Sequence, residues 1–315
     1  MWKYIIKRIF IAIPVLIGIT IIDYALMSLA GSPLDMLQGA HVSEAAKAVK
    51  RAQLGLNQPA YLQYLTWLRQ ILSGHLGTSI SNHTSVSGLI ASHVGPTLLL
   101  MGVSLLISMM ITLPAGIYSA THQYKKGDYV IVGLSFLGMS VPGFFLALIL
   151  IFVFSVKLNI LPSSGMTTLG EASSVGDIIR HMIMPVFVLV VSMTGNNLRY
   201  IRSAMLEILQ QDYLRTARAK GIGHFLVIYK HALRNALIPV ITVFGMEIPV
   251  LFGGAIIVEQ VFSWPGLGLL TMTAIVSRDY PVIMGVSLIS AVVVLLANLI
   301  TDILYAIADP SIQYQ

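Results

Sequence analysis

The sequence predicts an all-α integral membrane protein with six transmembrane helices, and two observations carry this fold class. First, hydrophobic residues make up 56% of the 315-residue chain and charged residues only 10%, whereas roughly a quarter of the residues in soluble domains are charged. The mean hydropathy is correspondingly high, at +0.84. Second, six stretches reach the roughly 20 apolar residues that a helix needs to cross a bilayer core. These are Ile9–Leu29, Thr97–Ala120, Val130–Val156, Met184–Met205, Leu237–Phe262 and Val282–Ala308.

The first transmembrane helix is predicted within residues 1–30. Its basic start, its apolar run and the tripeptide Ser28-Leu29-Ala30 are also typical of a secretory signal peptide. However, the apolar run from Ile9 to Leu29 is longer than the roughly 7 to 15 residues of a signal-peptide core. A retained helix with a cytoplasmic N-terminus therefore fits better.

Residues 31–96 are predicted to form an external cap of short amphipathic helices. One helix is predicted between Ser43 and Gly55, and a second between Asn57 and Gly74. The second carries apolar side chains at helical spacing, namely Leu62, Leu65, Leu68, Ile71 and Leu72. Both helices are too short to span a bilayer, so we expect them to pack on the bundle or to meet a soluble partner. Residues 97–315 then form a five-helix core that includes a cytoplasmic loop at residues 206–236.

Positive charge sets the predicted orientation, because Lys and Arg accumulate in cytoplasmic loops. With Met1 placed inside, 12 of the 19 Lys and Arg residues lie on its side of the membrane and 7 in the longer segments on the other side. We therefore expect both termini in the cytoplasm. The net charge of +6 then belongs to loops that meet anionic lipid headgroups and not to a nucleic-acid site.

The basic loop that runs from Asp212 to Pro239 is the most informative segment. It predicts two helical pieces, Tyr213 to Lys220 and Phe225 to Asn235, which are separated at Gly221-Ile222-Gly223. The small Ala217 and Ala219 suggest a side of the first piece that another protein can approach closely. Proline is favoured in the first turn of a helix, and Pro239 is accordingly predicted to begin the fifth span. By composition alone, the loop is also typical of one that touches only lipid.

The sequence lacks the motifs of several chemistries. It contains no G-x-x-x-x-G-K-[ST] phosphate loop, no H-E-x-x-H zinc helix and no G-x-S-x-G nucleophile elbow. It has no cysteine, and its eight histidines are scattered. We therefore expect a non-catalytic chain without a cofactor or metal site, which cannot energise transport by a phosphate loop of its own.

Four blocks of sequence resemble one transporter family. Arg215-Thr216-Ala217, followed by Gly221, is similar to the EAA-x-x-x-G loop of permease subunits of binding-protein-dependent ABC importers. DYLRTARAKG with HALRNALIP resembles more narrowly the dipeptide, oligopeptide and nickel permeases. The other blocks that resemble this family are GGAIIVEQVFSWPGLG with RDYPV, LGLNQPAYLQYLTWL, and MSVPGFF.

The resemblance implies a type I ABC importer transmembrane domain. It implies that residues 215–221 form a coupling helix, which inserts into an ATP-hydrolysing subunit. The coupling residues it implies are Arg215, Thr216, Ala217, Arg218, Gly221, Gly223, Arg234 and Asn235. Arg215 stands where the motif has Glu, and the acidic contacts of that Glu are therefore not carried over.

The same resemblance implies the partners and the cargo. The expected partners are a second, homologous permease in a heterodimer, two ATP-binding subunits, an external substrate-binding protein and membrane lipid. The expected location is a bacterial or archaeal plasma (inner) membrane, and the expected cargo is short peptides. Nickel or a metal chelate is the alternative within the family, and a secondary transporter or channel that acts alone is the alternative outside it.

Two acidic residues within predicted spans are candidates for the translocation path. Glu247 falls near the middle of the fifth span and Asp23 within the first. A charged carboxylate in a bilayer costs a few kcal/mol, about 3 at the centre, unless it faces water or a partner. Glu247 could therefore line the path and meet a peptide amine or a cation, or it could be a hydrogen-bonded carboxyl group at a helix interface.

Overall fold

The computed structural model describes residues 2–29, 31, 49, 57–170, 172 and 174–308. The named elements within these ranges are helices. The described residues divide into two compact units. One comprises Thr97–Trp264 and the residues from Leu296 onward, and the other comprises Trp2–Pro96 and Pro265–Leu295. The predicted division at residues 30 and 96 stays a prediction.

The helices within the described ranges follow one another along the chain with short connections. They are α1 (Trp2–Leu29), α2 (Ala60–Leu72), α3 (Val86–Thr121), α4 (Lys126–Ser140), α5 (Gly143–Leu150) continued by a π-helical segment Ile151–Lys157, α6 (Val175–Leu209), α7 (Asp212–Ala219), a turn His224–Leu226 continued by a π-helical segment Val227–Ala232, α8 (Leu233–Val261), α9 (Leu267–Val276) and α10 (Tyr280–Ala308).

Helices occupy all six positions at which spans are predicted. Within the described ranges, four of them are long and apolar enough to cross a membrane, and a fifth span results if α4 and the helix from Gly143 to Lys157 count as one. These two are bent by 94° at the intervening break. Pro142 explains the break, because proline lacks an amide hydrogen and forces the preceding residue out of helical geometry. The predicted multi-spanning all-α fold is confirmed, while the count of six stays a prediction.

The predicted start of the fifth span at Pro239 is wrong. Helical backbone begins at His224 and continues without interruption through α8 to Val261. Proline is tolerated inside membrane helices because neighbouring groups and local π-helical adjustments satisfy the freed carbonyl group. The π-helical segment Val227–Ala232 lies directly before α8.

In the unit that contains Thr97–Trp264, α6 packs against α4, α5 and α8. Gly195 of α6 makes close packing with α4 feasible, since a Cβ atom there would lie 2.9 Å from the Ser135 carbonyl oxygen. A second group of buried apolar residues, which we call the loop-side cluster, joins the ends of α3 and α6 to the segment that follows. Its members are Ile117, Ala120, Ile201, Met205, Leu214, Ala217, Val227, Ile228, Ala232, Ala236, Val240 and Phe244.

In the other unit, α2 confirms the second predicted cap helix. It meets α1 through polar and aromatic side chains, with Thr20 and Tyr64 hydroxyl groups 3.0 Å apart and the Tyr24 hydroxyl donating to Gln63 at 2.9 Å. The expectation that its leucines pack inward is not met, since Leu65 and Leu72 are 53% and 82% exposed. The first predicted cap helix, between Ser43 and Gly55, lies outside the described residues.

Candidate functional site

The predicted coupling helix is present as α7, and its end is built around Gly221. The Gly221 amide donates to the Arg218 carbonyl at 3.0 Å, and the Ile222 amide donates to the Ala217 carbonyl at 3.2 Å. This pair of bonds is the Schellman arrangement that ends a helix with a left-handed residue. Gly221 has φ +77°, a conformation that costs glycine little. The predicted break between the two helical pieces is therefore confirmed, and its cause is local.

The inner face of α7 packs on the chain itself. Leu214 is fully buried and Ala217 is 8% exposed, and both belong to the loop-side cluster. The expectation that Ala217 lies on a side open to another protein is therefore wrong. Its small side chain instead allows α7 to lie close to the underlying helices. A helix of eight residues is marginal in isolation, so this burial is what holds α7 in place.

The outer face of α7 carries the basic residues. Arg215, Thr216 and Arg218 are exposed, and Arg215 lies 3.6 Å from Asp212. The side chains of this pair are 78% and 93% exposed, and an ion pair this open to solvent contributes little to stability. The arginines are consequently available to a partner.

A hydrogen bond ties α7 to the helix that follows the turn. The Asn235 amide nitrogen donates to the Tyr213 hydroxyl group at 2.7 Å. Asn235 thus positions the coupling helix, a role that its place in the motif does not specify. Gly223 is exposed in the turn. Arg234 lies on the backbone of α8, and its side chain lies outside the part of the chain that the structure describes.

An ion pair joins α4 to α6 in the same unit. Asp128 of α4 is 3% exposed, and Arg202 of α6 donates to its two oxygens at 3.0 and 2.9 Å. The Ser119 hydroxyl group and the Tyr124 amide also donate to this carboxylate. Such bidentate pairs are directional as well as strong. The pair therefore holds the α3–α4 connection against α6, seven residues before α6 ends.

The carboxyl group of Glu247 has a much sparser environment. Glu247 is half-buried on α8, next to the side chain of Asn197 on α6. Asn197 is 1% exposed, yet its amide nitrogen makes no hydrogen bond of normal geometry within the described ranges. Asp23 is half-buried on α1, which belongs to the other unit. The structure thus adds Asn197 to one candidate for the path and adds nothing to the other.

Sequence reasoning missed Asp128, Arg202 and Asn197 as site residues. Asp128 is the one acid in the basic stretch Lys125-Lys126-Gly127-Asp128, and Asn197 is an amide inside a predicted span. Both are signals, because polar groups at such positions need partners. Arg202 enters the sequence argument only as a cytoplasmic charge, and nothing local distinguishes it.

Comparisons with known proteins identify the family. Residues 112–314 match the family described as binding-protein-dependent transport system inner membrane component, and residues 1–101 match the N-terminal part of such components. The oligopeptide transport system permease protein AppB of Bacillus subtilis is 48% identical over 100% of both chains. The dipeptide transport system permease protein DppB of Alkalihalophilus pseudofirmus is 38% identical, again over 100% of both.

A solved structure supports the fold. The chain is similar to one in the inward-facing MetNI methionine ABC transporter, with a TM-score of 0.58 and 18% identity over 71% of this chain and 97% of that one. The predicted fold of an ABC importer transmembrane domain is thereby confirmed. With its apolar helices and its full-length relatives, the chain belongs to the family of inner membrane components of binding-protein-dependent transport systems.

Proposed function

We propose that this chain is the permease subunit of an ATP-driven importer of short peptides. The observation that carries the proposal is full-length identity of 48% and 38% to permeases named for oligopeptide and dipeptide transport. The names of these relatives favour peptides over nickel. Because each match extends over the whole chain, the proposal covers both the predicted cap region and the helical core.

The proposed assembly contains the partners that such a permease needs. A second, homologous permease completes the path as a heterodimer, two ATP-binding subunits lie on the cytoplasmic side, and a substrate-binding protein delivers peptides from outside. ATP hydrolysis belongs to the partners, because this chain lacks a phosphate loop. The excess of Lys and Arg on the side of Met1 favours a cytoplasmic location for both termini.

In this proposal α7 receives the movement of an ATP-binding subunit. Its outer face offers Arg215, Thr216 and Arg218 to the partner, while its inner face is packed into the loop-side cluster. Because that cluster includes residues from α3, α6 and α8, a push on α7 is transmitted to three helices together. Closure of the ATP-binding subunits then moves the bundle as a rigid body between inward-facing and outward-facing states.

Glu247 is the proposed contact for the cargo inside the membrane. Its carboxyl group is half-buried beside Asn197, and a carboxylate at this depth is favoured by a cationic partner. The ammonium group of a peptide is such a partner. Asp23 stays a second candidate that rests on its position in α1 alone.

The proposal is tested by reconstitution in proteoliposomes. The four-part membrane assembly, supplied with its binding protein and ATP, is expected to take up a labelled dipeptide, whereas liposomes with this chain alone are not. Replacing the peptide with nickel and its receptor serves as the matched control for substrate class. Uptake by this chain alone without ATP would show that it is a secondary transporter or channel, and uptake of nickel but not peptide would overturn the substrate assignment.

A further inference from the structure

A groove of about 220 Å³ lies between α4 and α6, apart from α7 and from Glu247. From α4 it is lined by Val132, Phe136 and Met139, and from α6 by Leu198, Arg199 and Ser203, among others. The α4 residues are spaced by four and three positions, so they form one stripe of that helix. The groove is therefore a product of two helix faces that pack directly on each other.

The chemistry of the groove changes along its length. At one end Gly195 brings α6 close to Met139 of α4, since a Cβ atom at Gly195 would lie 2.9 Å from the Met139 Cγ atom. Towards the end of α6 the lining becomes polar, with Arg199, Arg202 and Ser203. On the predicted orientation, this polar end is the cytoplasmic one. The apolar end points into the membrane.

The two arginines of the groove differ in their charge balance. Arg202 is paired with Asp128 at 2.9 Å. Arg199 is exposed and has no carboxylate within 4.0 Å among the described residues; its guanidinium group lies 5.6 Å from the centre of the Tyr200 ring. Ser203 is exposed one helical turn beyond Arg199. One unbalanced positive charge and one hydroxyl donor therefore stand at the mouth of an apolar groove.

We propose that this groove binds an anionic phospholipid of the cytoplasmic leaflet. Its phosphate group contacts Arg199 and Ser203, and part of one acyl chain lies along Val132, Phe136 and Met139. Basic pockets between transmembrane helices on the cytoplasmic side are suited to anionic headgroups, and guanidinium groups bind phosphate well. A helix of the companion permease fits less well, because it would cover Arg199 with apolar surface and leave its charge uncompensated.

The test uses the intact transporter, purified in mild detergent and titrated with phosphatidylglycerol, with bound lipid counted by native mass spectrometry. No ATP or peptide is needed, so the result is independent of the proposed transport function. We expect one retained phosphatidylglycerol and about fivefold weaker binding in Arg199→Gln, the effect of one basic residue near a charged headgroup. Lys126→Gln removes an exposed charge of the same sign outside the groove lining and serves as the control.

A second variant, Ser203→Phe, fills the mouth of the groove from an exposed position and is expected to displace the lipid. The proposal is overturned if the unmodified transporter retains no phosphatidylglycerol, if Arg199→Gln and Lys126→Gln weaken binding equally, or if Ser203→Phe has no effect. Because the chain has no cysteine, Ser203→Cys introduces a unique thiol. Its crosslinking to the companion permease would show that the groove is a subunit interface instead.

Discussion

Asp128 and Glu247 are carboxylates of the same unit with opposite environments. Asp128 accepts hydrogen bonds from Arg202, Ser119 and Tyr124 and is almost fully buried. Glu247 is half-buried beside an Asn197 amide that makes no normal hydrogen bond within the described part of the chain. A satisfied carboxylate stabilises the fold, whereas a sparsely satisfied one in a membrane helix is available to a ligand. The contrast separates a structural acid from a candidate functional one.

The largest effect on stability is expected at the satisfied carboxylate. Arg202→Met removes the partner of buried Asp128 and should lower the free energy of unfolding by about 3–5 kcal/mol, since an uncompensated charge is left inside. Thermal unfolding of the purified assembly, read as a midpoint shift, measures it. The double variant Asp128→Asn with Arg202→Met should recover most of the loss. A double variant as unstable as the single one would show that Asp128 needs no partner and would remove the contrast.

A smaller effect is expected at Gly221, where the inner face of α7 ends. Gly221→Ala should cost about 1 kcal/mol because the left-handed φ of +77° is unfavourable for alanine. Gly223→Ala is the matched control, since Gly223 lies two residues away without a positive φ and with no atom near its Cβ position. The measurements are the unfolding midpoint and the ATP hydrolysed per peptide transported. Equal effects of the two variants would contradict the assigned role of the Schellman turn.

The smallest effect on stability is expected at the sparsely satisfied carboxylate. Glu247→Gln keeps the shape of the side chain and should change the free energy of unfolding by no more than about 0.5 kcal/mol. Peptide uptake should nevertheless fall at least about tenfold, because a charge-assisted contact with the cargo is lost. Glu207→Gln, at an exposed position of α6, controls for the loss of a carboxylate. Unchanged uptake by Glu247→Gln would exclude Glu247 from the path.

Much of the candidate site is predictable because it depends on local sequence. The break at Gly221 follows from a residue that adopts positive φ without cost, and the bend between α4 and α5 follows from Pro142. The basic outer face of α7 is likewise present in the order of its residues. In contrast, the sequence prediction places Ala217 on the wrong face, because its spacing within a short helix fits either an inner or an outer position.

The sequence by itself determined that the chain is a helical membrane protein, where its apolar helices lie and which family it resembles. These properties follow from composition, hydrophobic length and local turn chemistry, which act between near neighbours in the chain. Only the tertiary structure decided that α7 is packed through Leu214 and Ala217, and that Asp128 is paired while Glu247 is not. The partners in those contacts come from different helices, and Asp128 and Arg202 are 74 residues apart. Their pairing is set by how the helices pack, which no local pattern encodes.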